Sequence, residues 1–224
     1  MPESERLSRP TTNATRLILV RHGETVGNSS IRYFGRTDVE LSDLGRAQMR
    51  AVARLLELRF AVRRFEPVMA SPLRRATAGA RLIVGSQSMV VEIPEFVEVD
   101  FGLFEGLTAE EIRERYPADF ALWDRNRIAG DYAYPGGESR ASFAARVERG
   151  TKRMLAVLDG YRSQQAPADA LLVAHRGVIR AITRELANAE PQIELGSIQL
   201  LERAPDGRWR ALALDVTEHL SFPP

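Results

Sequence analysis

The sequence of 224 residues contains no cysteine. Without thiols the chain can form neither a disulfide framework nor a cysteine nucleophile, and zinc sites built on cysteine are excluded. An excess of one charge is also missing, because 31 Lys and Arg residues face 30 Asp and Glu residues. Proteins that bind duplex nucleic acid normally carry a clear basic excess, so we expect no nucleic-acid partner. A small anionic substrate needs only a local cluster of positive charge and stays compatible.

Long hydrophobic runs are absent as well. A membrane-spanning helix needs roughly eighteen consecutive apolar residues, and the sequence has no such run, so we expect no membrane partner. Residues 1–15 are polar and include Arg6, Arg9 and Pro10, which predicts a flexible tail in place of a secretion signal. We therefore expect a cytoplasmic protein. No linker or repeat divides the remainder, so residues 16–220 are predicted to form a single domain.

Short apolar runs alternate with helical patterns along the chain. Strands are predicted at 16–20, 67–70 and 170–174, and helices at about 73–84, about 139–158 and from 175 to about 186. Ser42 is predicted to cap a further helix whose apolar face includes Leu44. Residues 198–202 and 209–214 are predicted to pair at the end of the chain. This order predicts an α/β fold, a three-layer, doubly wound, mainly parallel sheet with helices on both faces.

Two of the three histidines directly follow predicted strands. His22 stands between an arginine and a glycine, and His175 is followed by an arginine. Ligands bind at the carboxyl ends of parallel strands, so converging strand ends would give a pocket with two imidazoles and several guanidinium groups. An imidazole nitrogen aimed at phosphorus can act as a nucleophile, and these residues therefore suggest phosphoryl transfer through a phosphohistidine. The third histidine, His219, has no partner in the sequence and is expected on the surface.

These residues lie in longer motifs that resemble those of the histidine phosphatase superfamily. Six segments resemble the family's motifs in the family's order, namely residues 21–28, 35–45, 71–76, 98–106, 136–139 and 174–177. Together they extend over most of the chain, which makes the resemblance far more specific than a single Arg-His-Gly triplet. The resemblance implies the phosphoglycerate-mutase-like variant of the predicted fold.

The resemblance also implies a role for each matching residue. His22 would be the nucleophile that becomes phosphorylated. Arg21, Arg75 and His175 would hold the phosphoryl oxygens and stabilise the charge that develops during transfer. The register at the second arginine motif is set by the Arg-Ala pair, which selects Arg75 over Arg74.

Glu98 matches the family's proton donor. Such a carboxyl group would give a proton to the leaving oxygen and later accept one from water. Two other acids in the same segment, Glu95 and Asp100, remain alternatives for this role.

Four more residues are expected to contact the substrate. Asn28 would donate a hydrogen bond to the phosphoryl group, and Thr25 and Gly35 are assigned to substrate binding with it. Arg176 stands where the family commonly has glycine. It would either point outward as a first-turn helix residue, which we favour, or add a second cation for a larger anionic substrate.

The implied function is a metal-independent phosphomonoesterase of the histidine acid phosphatase type that acts on a small phosphorylated metabolite. Short insertions and the Gly-Gly-Glu-Ser tetrapeptide at 136–139 favour the phosphatase branch. Mutase-type transfer between substrate hydroxyls is the alternative. A catalytically silent phospho-ligand binding protein is a second alternative, disfavoured because His22 and Glu98 are both present. We expect no metal and no cofactor, since the arginines and imidazoles supply the positive charge.

The segment at about 106–140 is predicted to form a lid-like insertion over the pocket. We expect Phe120 and Trp123 to be core residues, and most arginines of the segment to pair with acids at helical spacing. The exposed faces of the terminal strands could also pair in a homodimer.

Overall fold

The computed structural model describes residues 15–27, 30–62, 64–130, 132–162 and 169–221, with Arg162 described by its backbone alone. The predicted flexible tail falls on residues outside this part, except for Thr15. Thr15 is buried and pairs with Arg203 of the neighbouring strand. The first strand therefore begins one residue earlier than the sequence pattern indicates.

Six strands form one mixed sheet in the order β3-β2-β4-β1-β5-β6. The strands are β1 Thr15–Arg21, β2 Phe65–Ala70, β3 Val91–Glu92, β4 Asp169–Ala174, β5 Ile198–Arg203 and β6 Trp209–Val216. Strands β3, β2, β4 and β1 are mutually parallel, whereas β5 pairs antiparallel with β1 on one side and with β6 on the other. The predicted pairing at the end of the chain is thus confirmed. β1 and β4 lie in the centre, as their continuous apolar runs require.

Helices cover both faces of this sheet. They are α1 Asp43–Phe60, α2 Arg74–Val84, α3 Ala109–Arg115, α4 Pro117–Ala129, α5 Arg140–Arg162 and α6 Arg176–Ala187. α1 and α2 pack against the face of the sheet that includes Ile18, and α5 and α6 pack against the face that includes Leu17. The predicted three-layer α/β architecture is confirmed. None of the described helices is both long and apolar enough to cross a lipid bilayer.

α3 and α4 lie outside the three layers and enclose a separate apolar cluster. Its buried members are Phe104, Ile112 and Trp123, with Phe120 partly buried against them. The core role predicted for the two aromatic residues of α4 is therefore confirmed.

The predicted pairing of the arginines in the segment at about 106–140 with acids at helical spacing is mostly wrong. Among the described residues of this segment, only Arg127 forms an ion pair with an acid, at 2.6 Å from Asp124.

Two side chains are placed differently from the sequence-based expectation. Leu44 is 60 % exposed, because the buried stripe of α1 begins one residue later at Gly45. Gly45 packs so closely on the backbone of Glu24 that a Cβ there would overlap its carbonyl oxygen, and this contact sets the rotation of the helix. His219 is buried, because the final turn folds inward and brings its Nε2 to 2.9 Å from the carbonyl oxygen of Gly196.

Candidate active site

The carboxyl ends of β2, β4 and β1 meet at one edge of the sheet. The backbone N–H of His22 donates to the carbonyl of Ala174 at 3.1 Å, and that of Ser71 donates to Val173 at 3.0 Å. The imidazole rings of His22 and His175 consequently lie with their centroids 5.1 Å apart. The convergence of strand ends predicted from the sequence is confirmed.

The ring of His22 is held in one orientation and one tautomer. Its Nδ1 lies 2.8 Å from the carbonyl oxygen of Gly23. A carbonyl can only accept, so Nδ1 carries the hydrogen and Nε2 keeps its lone pair. Burial lowers the pKa of His22 well below its usual value, and the charges of Arg75 and Arg21 lower it further. The ring is therefore a neutral imidazole with Nε2 available for attack.

Arg75 directs one N–H at that nitrogen. Its side chain is almost fully buried, and its Nε donates to Nε2 of His22 at 3.2 Å. The other end of the guanidinium donates to three backbone carbonyls, those of Thr37 at 2.7 Å, Gly35 at 2.6 Å and Phe34 at 3.3 Å. Burial lowers the pKa of Arg75, whereas the charge of Glu98 raises it. The cation is thus fixed beside the atom that would carry a phosphoryl group.

The turn that holds Arg75 is itself held by Glu105. The carboxylate of Glu105 accepts hydrogen bonds from the backbone N–H groups of Gly35 and Thr37, both at 3.2 Å. A Cβ at Gly35 would overlap the carbonyl oxygen of Val99. Gly35 therefore lies behind Arg75 as part of its support, and the cavity wall does not include it. Sequence reasoning assigned Gly35 to the substrate and missed the role of Glu105.

His175 is oriented by a residue that sequence reasoning also missed. Its Nε2 lies 2.7 Å from the hydroxyl of Ser71, the first residue after β2, and both side chains are buried. The Nδ1 atom of His175 is buried and has no hydrogen-bond partner within the described part of the chain. Burial lowers the pKa of His175 well below its ordinary value. A buried polar atom without a partner is costly, so this nitrogen is suited to a ligand oxygen.

Arg21 is anchored on a strained backbone. Its Nη1 donates to the carbonyl of Ile193 at 3.1 Å. Ile193 has φ 58°, a left-handed conformation that is rare for a β-branched residue, and the carboxylate of Asp215 accepts its N–H at 3.0 Å. Burial lowers the pKa of Arg21 to about 10, so the guanidinium stays charged at neutral pH. Its Nε is buried and makes no hydrogen bond to any described residue.

Glu98 lies opposite these cations. One carboxylate oxygen accepts the N–H of Gly177 at 2.9 Å, and the other accepts the N–H of Val99 at 3.0 Å. A Cβ at Gly177 would stand 2.6 Å from the carboxylate, so glycine at this position is what admits Glu98. The side chain is largely buried and lines the cavity.

The two alternative acids are directed elsewhere. Asp100 lies 3.4 Å from Arg36 and Glu95 lies 3.6 Å from Arg153, and neither acid lines the cavity. Of the three candidates, Glu98 alone lines the cavity.

Arg146 fixes the segment that carries Glu98. Its Nη1 donates to the carbonyls of Glu95 and Val97, both at 2.7 Å, and its Nη2 donates to that of Glu98 at 3.4 Å. The same guanidinium binds both carboxylate oxygens of Glu138, at 3.0 and 2.6 Å. Glu138 belongs to the Gly-Gly-Glu-Ser tetrapeptide, which gives that motif a structural purpose. Arg146 lies in the middle of α5, where no sequence signal marks it.

The remaining predicted substrate contacts are placed as follows. Thr25 is buried, its N–H donates to the carboxylate of Glu24 at 3.1 Å, and it does not line the cavity. Asn28 lies outside the described residues. Arg176 is exposed at the start of α6 and does line the cavity.

The cavity above these residues has a volume of about 1010 Å³. Arg21, His22 and Glu98 line it, and aromatic side chains form much of its wall, namely Tyr33, Phe101, Tyr132, Tyr134 and Phe143. No group of three or more His, Asp or Glu side chains in the described ranges is arranged to hold a metal ion. The arrangement offers a nucleophile, an acid and fixed cations around one phosphoryl-sized position.

A family model described as the histidine phosphatase superfamily (branch 1) matches residues 17–215. The chain belongs to this superfamily. The resemblance drawn from the sequence motifs is confirmed.

Curated relatives of this superfamily member include several phosphatases. The chain is 31 % identical over 168 residues to phosphoserine phosphatase 1 of Hydrogenobacter thermophilus, covering 75 % of this chain and 74 % of that protein. It is 34 % identical over 181 residues to a glucosyl-3-phosphoglycerate phosphatase of Mycobacterium tuberculosis, covering 77 % and 75 %. A bifunctional protein of the same bacterium is 30 % identical over 215 residues, and the chain spans 55 % of its length.

Solved structures of superfamily members share the fold. The alpha-ribazole phosphatase of Shigella flexneri superposes with a TM-score of 0.74 at 27 % identity, covering 90 % of this chain and 96 % of that chain. A mycobacterial glucosyl-3-phosphoglycerate phosphatase complexed with VO3 superposes with a TM-score of 0.71 at 29 % identity, covering 90 % and 99 %. The phosphoglycerate-mutase-like fold inferred from the sequence is confirmed, and both of these solved structures are of proteins named as phosphatases.

Proposed function

We propose that the protein is a phosphomonoesterase that hydrolyses a small phosphorylated metabolite through a phosphohistidine on His22, without a metal ion or cofactor. The observation that carries the proposal is the state of the His22 ring. The hydrogen on Nδ1 is committed to the carbonyl of Gly23, and the lone pair on Nε2 lies in a pocket of fixed cations. This is the geometry of an activated nitrogen nucleophile.

In the first step, Nε2 of His22 attacks the phosphorus of the bound ester. A phosphorus–nitrogen bond forms while the ester phosphorus–oxygen bond breaks, and the departing oxygen takes a proton from Glu98. The N–H that Arg75 directs at Nε2 in the free protein would pass to a phosphoryl oxygen. Arg21 and His175 would bind the other oxygens with the buried nitrogens that have no partner in the described structure.

In the second step, water attacks the phosphorus on its free side. Glu98, now a carboxylate, accepts a proton from this water, the phosphorus–nitrogen bond breaks and its electron pair returns to Nε2 of His22. Inorganic phosphate leaves and the starting protonation states are restored. Three cationic or donor side chains surround the transferred group, namely Arg21, Arg75 and His175, and they take the role that a metal ion has in other phosphoryl-transfer enzymes.

Hydrolysis is favoured over mutase-type transfer because three of the relatives are named as phosphatases. Mutase activity remains the alternative, in which a second substrate hydroxyl replaces water. A silent binding protein is disfavoured, because Glu98 is held against Gly177 beside a competent nucleophile. The histidine acid phosphatase type of activity and a cytoplasmic location belong to the same proposal, as does the absence of nucleic-acid and membrane partners. A homodimer could form through β6, which is an edge strand of the sheet.

The test is turnover of a panel of phosphomonoesters in EDTA, with 3-phosphoglycerate run with and without 2,3-bisphosphoglycerate. We expect release of inorganic phosphate from several esters at a rate that chelation does not change. Isomerisation of 3-phosphoglycerate without phosphate release would replace hydrolysis by mutase activity. Loss of turnover in EDTA would contradict the metal-independent mechanism.

A further inference from the structure

The rim of the cavity carries two arginines without acidic partners. Arg176 and Arg180 both line the cavity, and their spacing of four residues places them on the same face of α6. Arg176 makes no hydrogen bond or ion pair within the described part of the chain. The hydrogen bond that Arg180 makes there, at 3.3 Å, goes to the neutral carbonyl of Gln192.

The next arginine along this face of α6, Arg184, differs from the two rim arginines because it forms an ion pair with an acid. Arg184 lies one further turn along α6, outside the cavity, and forms an ion pair with Glu190 at 2.8 Å. Glu194 also lines the cavity, yet no ion pair joins it to either rim arginine in the described structure. Of the three arginines on this face of α6, Arg184 alone forms an ion pair in the described structure, and it lies outside the cavity.

We call the ring of His22 and the side chains around it, those of Arg21, Arg75, His175 and Glu98, the floor of the cavity. The charges of the two rim arginines add to those of the arginines at the floor. Burial is the main cause of the lowered pKa of Arg180 and of Arg21, and the charge of Arg176 lowers both further. The charges of Glu190 and Asp215 act on Arg180 in the opposite direction. Like charges at a spacing of four residues destabilise a helix slightly, and no ion pair of either arginine within the described structure offsets this cost. An anionic ligand would offset it, because an arginine fork matches the oxygens of a carboxylate or phosphate.

The size of the cavity leaves room for such a ligand beyond the transferred phosphoryl group. At about 1010 Å³ it reaches the upper end of typical small-molecule sites, and the phosphoryl position at His22 occupies only its floor. We infer that the phosphate ester bound here carries a second anionic group, a carboxylate or a phosphate, and that Arg176 and Arg180 bind it. The inference rests on the proposed function for the phosphoryl end of the ligand.

The experiment measures binding of the second anionic group in a protein that lacks the proposed nucleophile, so that hydrolysis of the probe does not affect the result. Binding is measured by calorimetry on the His22→Ala protein with two matched pairs of probes, 3-phosphoglycerate against glycerol 3-phosphate and fructose 1,6-bisphosphate against fructose 6-phosphate. We expect the ester with the second anion to bind about 10-fold more tightly in at least one pair, the effect of a typical charge-assisted contact. Adding Arg176→Gln and Arg180→Gln together should reduce this preference to about 2-fold or less. Arg184→Gln, the control on the same helix face, should leave it unchanged.

Two results would overturn the inference. One is equal affinity within both probe pairs, and the other is a double variant that weakens both members of a pair by the same factor. Hydrolysis of p-nitrophenyl phosphate by the wild-type protein reports on the proposed function separately, because that ester has no second anion. Turnover of this ester without any preference for a second anion would contradict the proposed rim site and support the proposed phosphatase activity. A binding preference that depends on the rim arginines, without turnover of this ester, would support the rim site and contradict the phosphatase activity.

Discussion

The floor and the rim of the cavity use the same side chain in opposite ways. At the floor, Arg75 is 1 % exposed and its guanidinium is bonded to three backbone carbonyls and to the ring of His22. At the rim, Arg176 is exposed and bonds to no described residue. A cation fixed before the substrate arrives lowers the barrier of a reaction, whereas a cation free to adapt selects among ligands. From this comparison we propose that the floor sets the chemistry and the rim selects the substrate.

The two regions also differ in what holds them. Residues at the floor lie close to the ends of central parallel strands and are held by hydrogen bonds that involve the buried hydroxyl of Ser71 and the partly buried carboxylate of Glu105. Rim residues lie on helix surfaces and on the segment formed by α3 and α4.

The largest expected effect is at the nucleophile. His22→Ala should lower kcat by about 10⁴-fold or more on every ester, because the proposed phosphoryl intermediate forms on Nε2 of His22 and alanine supplies no nucleophile. Thermal unfolding measured alongside should show a folded protein. Residual activity within about 100-fold of wild type would mean that the floor does not act through this nitrogen.

Arg75→Gln tests whether the fixed cation matters more than an exposed one. We expect kcat to fall by about 10²–10³-fold, the usual loss when an oriented donor is removed. Because the charge of Arg75 lowers the pKa of His22, its removal should also move the acid limb of the pH–rate profile to higher pH. The neighbouring Arg74 is exposed and pairs with Asp38 at 3.1 Å, so Arg74→Gln is the matched control and should change kcat by about 2-fold or less. An equal loss in both variants would end the distinction between fixed and exposed arginines.

Glu98→Gln should separate esters by their leaving groups. We expect about a 10²-fold loss on alkyl phosphates, whose departing oxygen needs a proton, and much less on p-nitrophenyl phosphate, whose leaving group does not. Steady-state kinetics on both substrates gives the ratio. Equal slowing of the two would remove Glu98 from the role of acid and reopen the assignment to Asp100 or Glu95.

The smallest effect concerns stability against pH. Burial lowers the pKa of His22, His175 and His219 below the ordinary value of 6.5, so the unfolded chain binds more protons than the folded one once the pH falls below that value. Stability contributed by these rings is therefore complete above about pH 6.5 and is lost as the pH falls, by up to about 1.4 kcal/mol per pH unit for each histidine. Thermal melts from about pH 7.5 to about pH 5.5 should show a falling Tm. His219→Gln should reduce the slope without affecting the floor, and an unchanged slope would contradict the buried neutral state of that ring.

Sequence reasoning located the floor because its residues follow strands. An apolar run that stops at a histidine marks both a buried strand and the place where its end lies, and this placed His22, His175 and the arginine segment together. The motif register correctly separated Arg75 from Arg74. The sequence did not predict the residues that hold the catalytic side chains in place from distant positions in the chain. Arg146 is one polar residue among many on a long helix, and only the folded chain brings it to Glu138 and the carbonyls before Glu98.

Errors of placement had local causes. Leu44 looked like a core residue by periodicity, but close backbone packing at Gly45 turns it to the surface. His219 looked like a terminal surface residue, yet the last turn packs against Gly196. The arginines around α3 and α4 were expected to pair with acids along the helix. Arg113 instead lies 4.9 Å above the ring of Phe120, an interaction that charge spacing does not reveal.

The most direct measurement of the central claim is to trap the phosphorylated enzyme. The protein is mixed with a rapidly hydrolysed aryl phosphate, quenched at alkaline pH where phosphohistidine survives, digested and examined by mass spectrometry. The account predicts a phosphoryl group on the peptide that contains His22, present in EDTA and absent in His22→Ala. A phosphoryl group on another residue would contradict the account, as would full turnover by the His22→Ala protein.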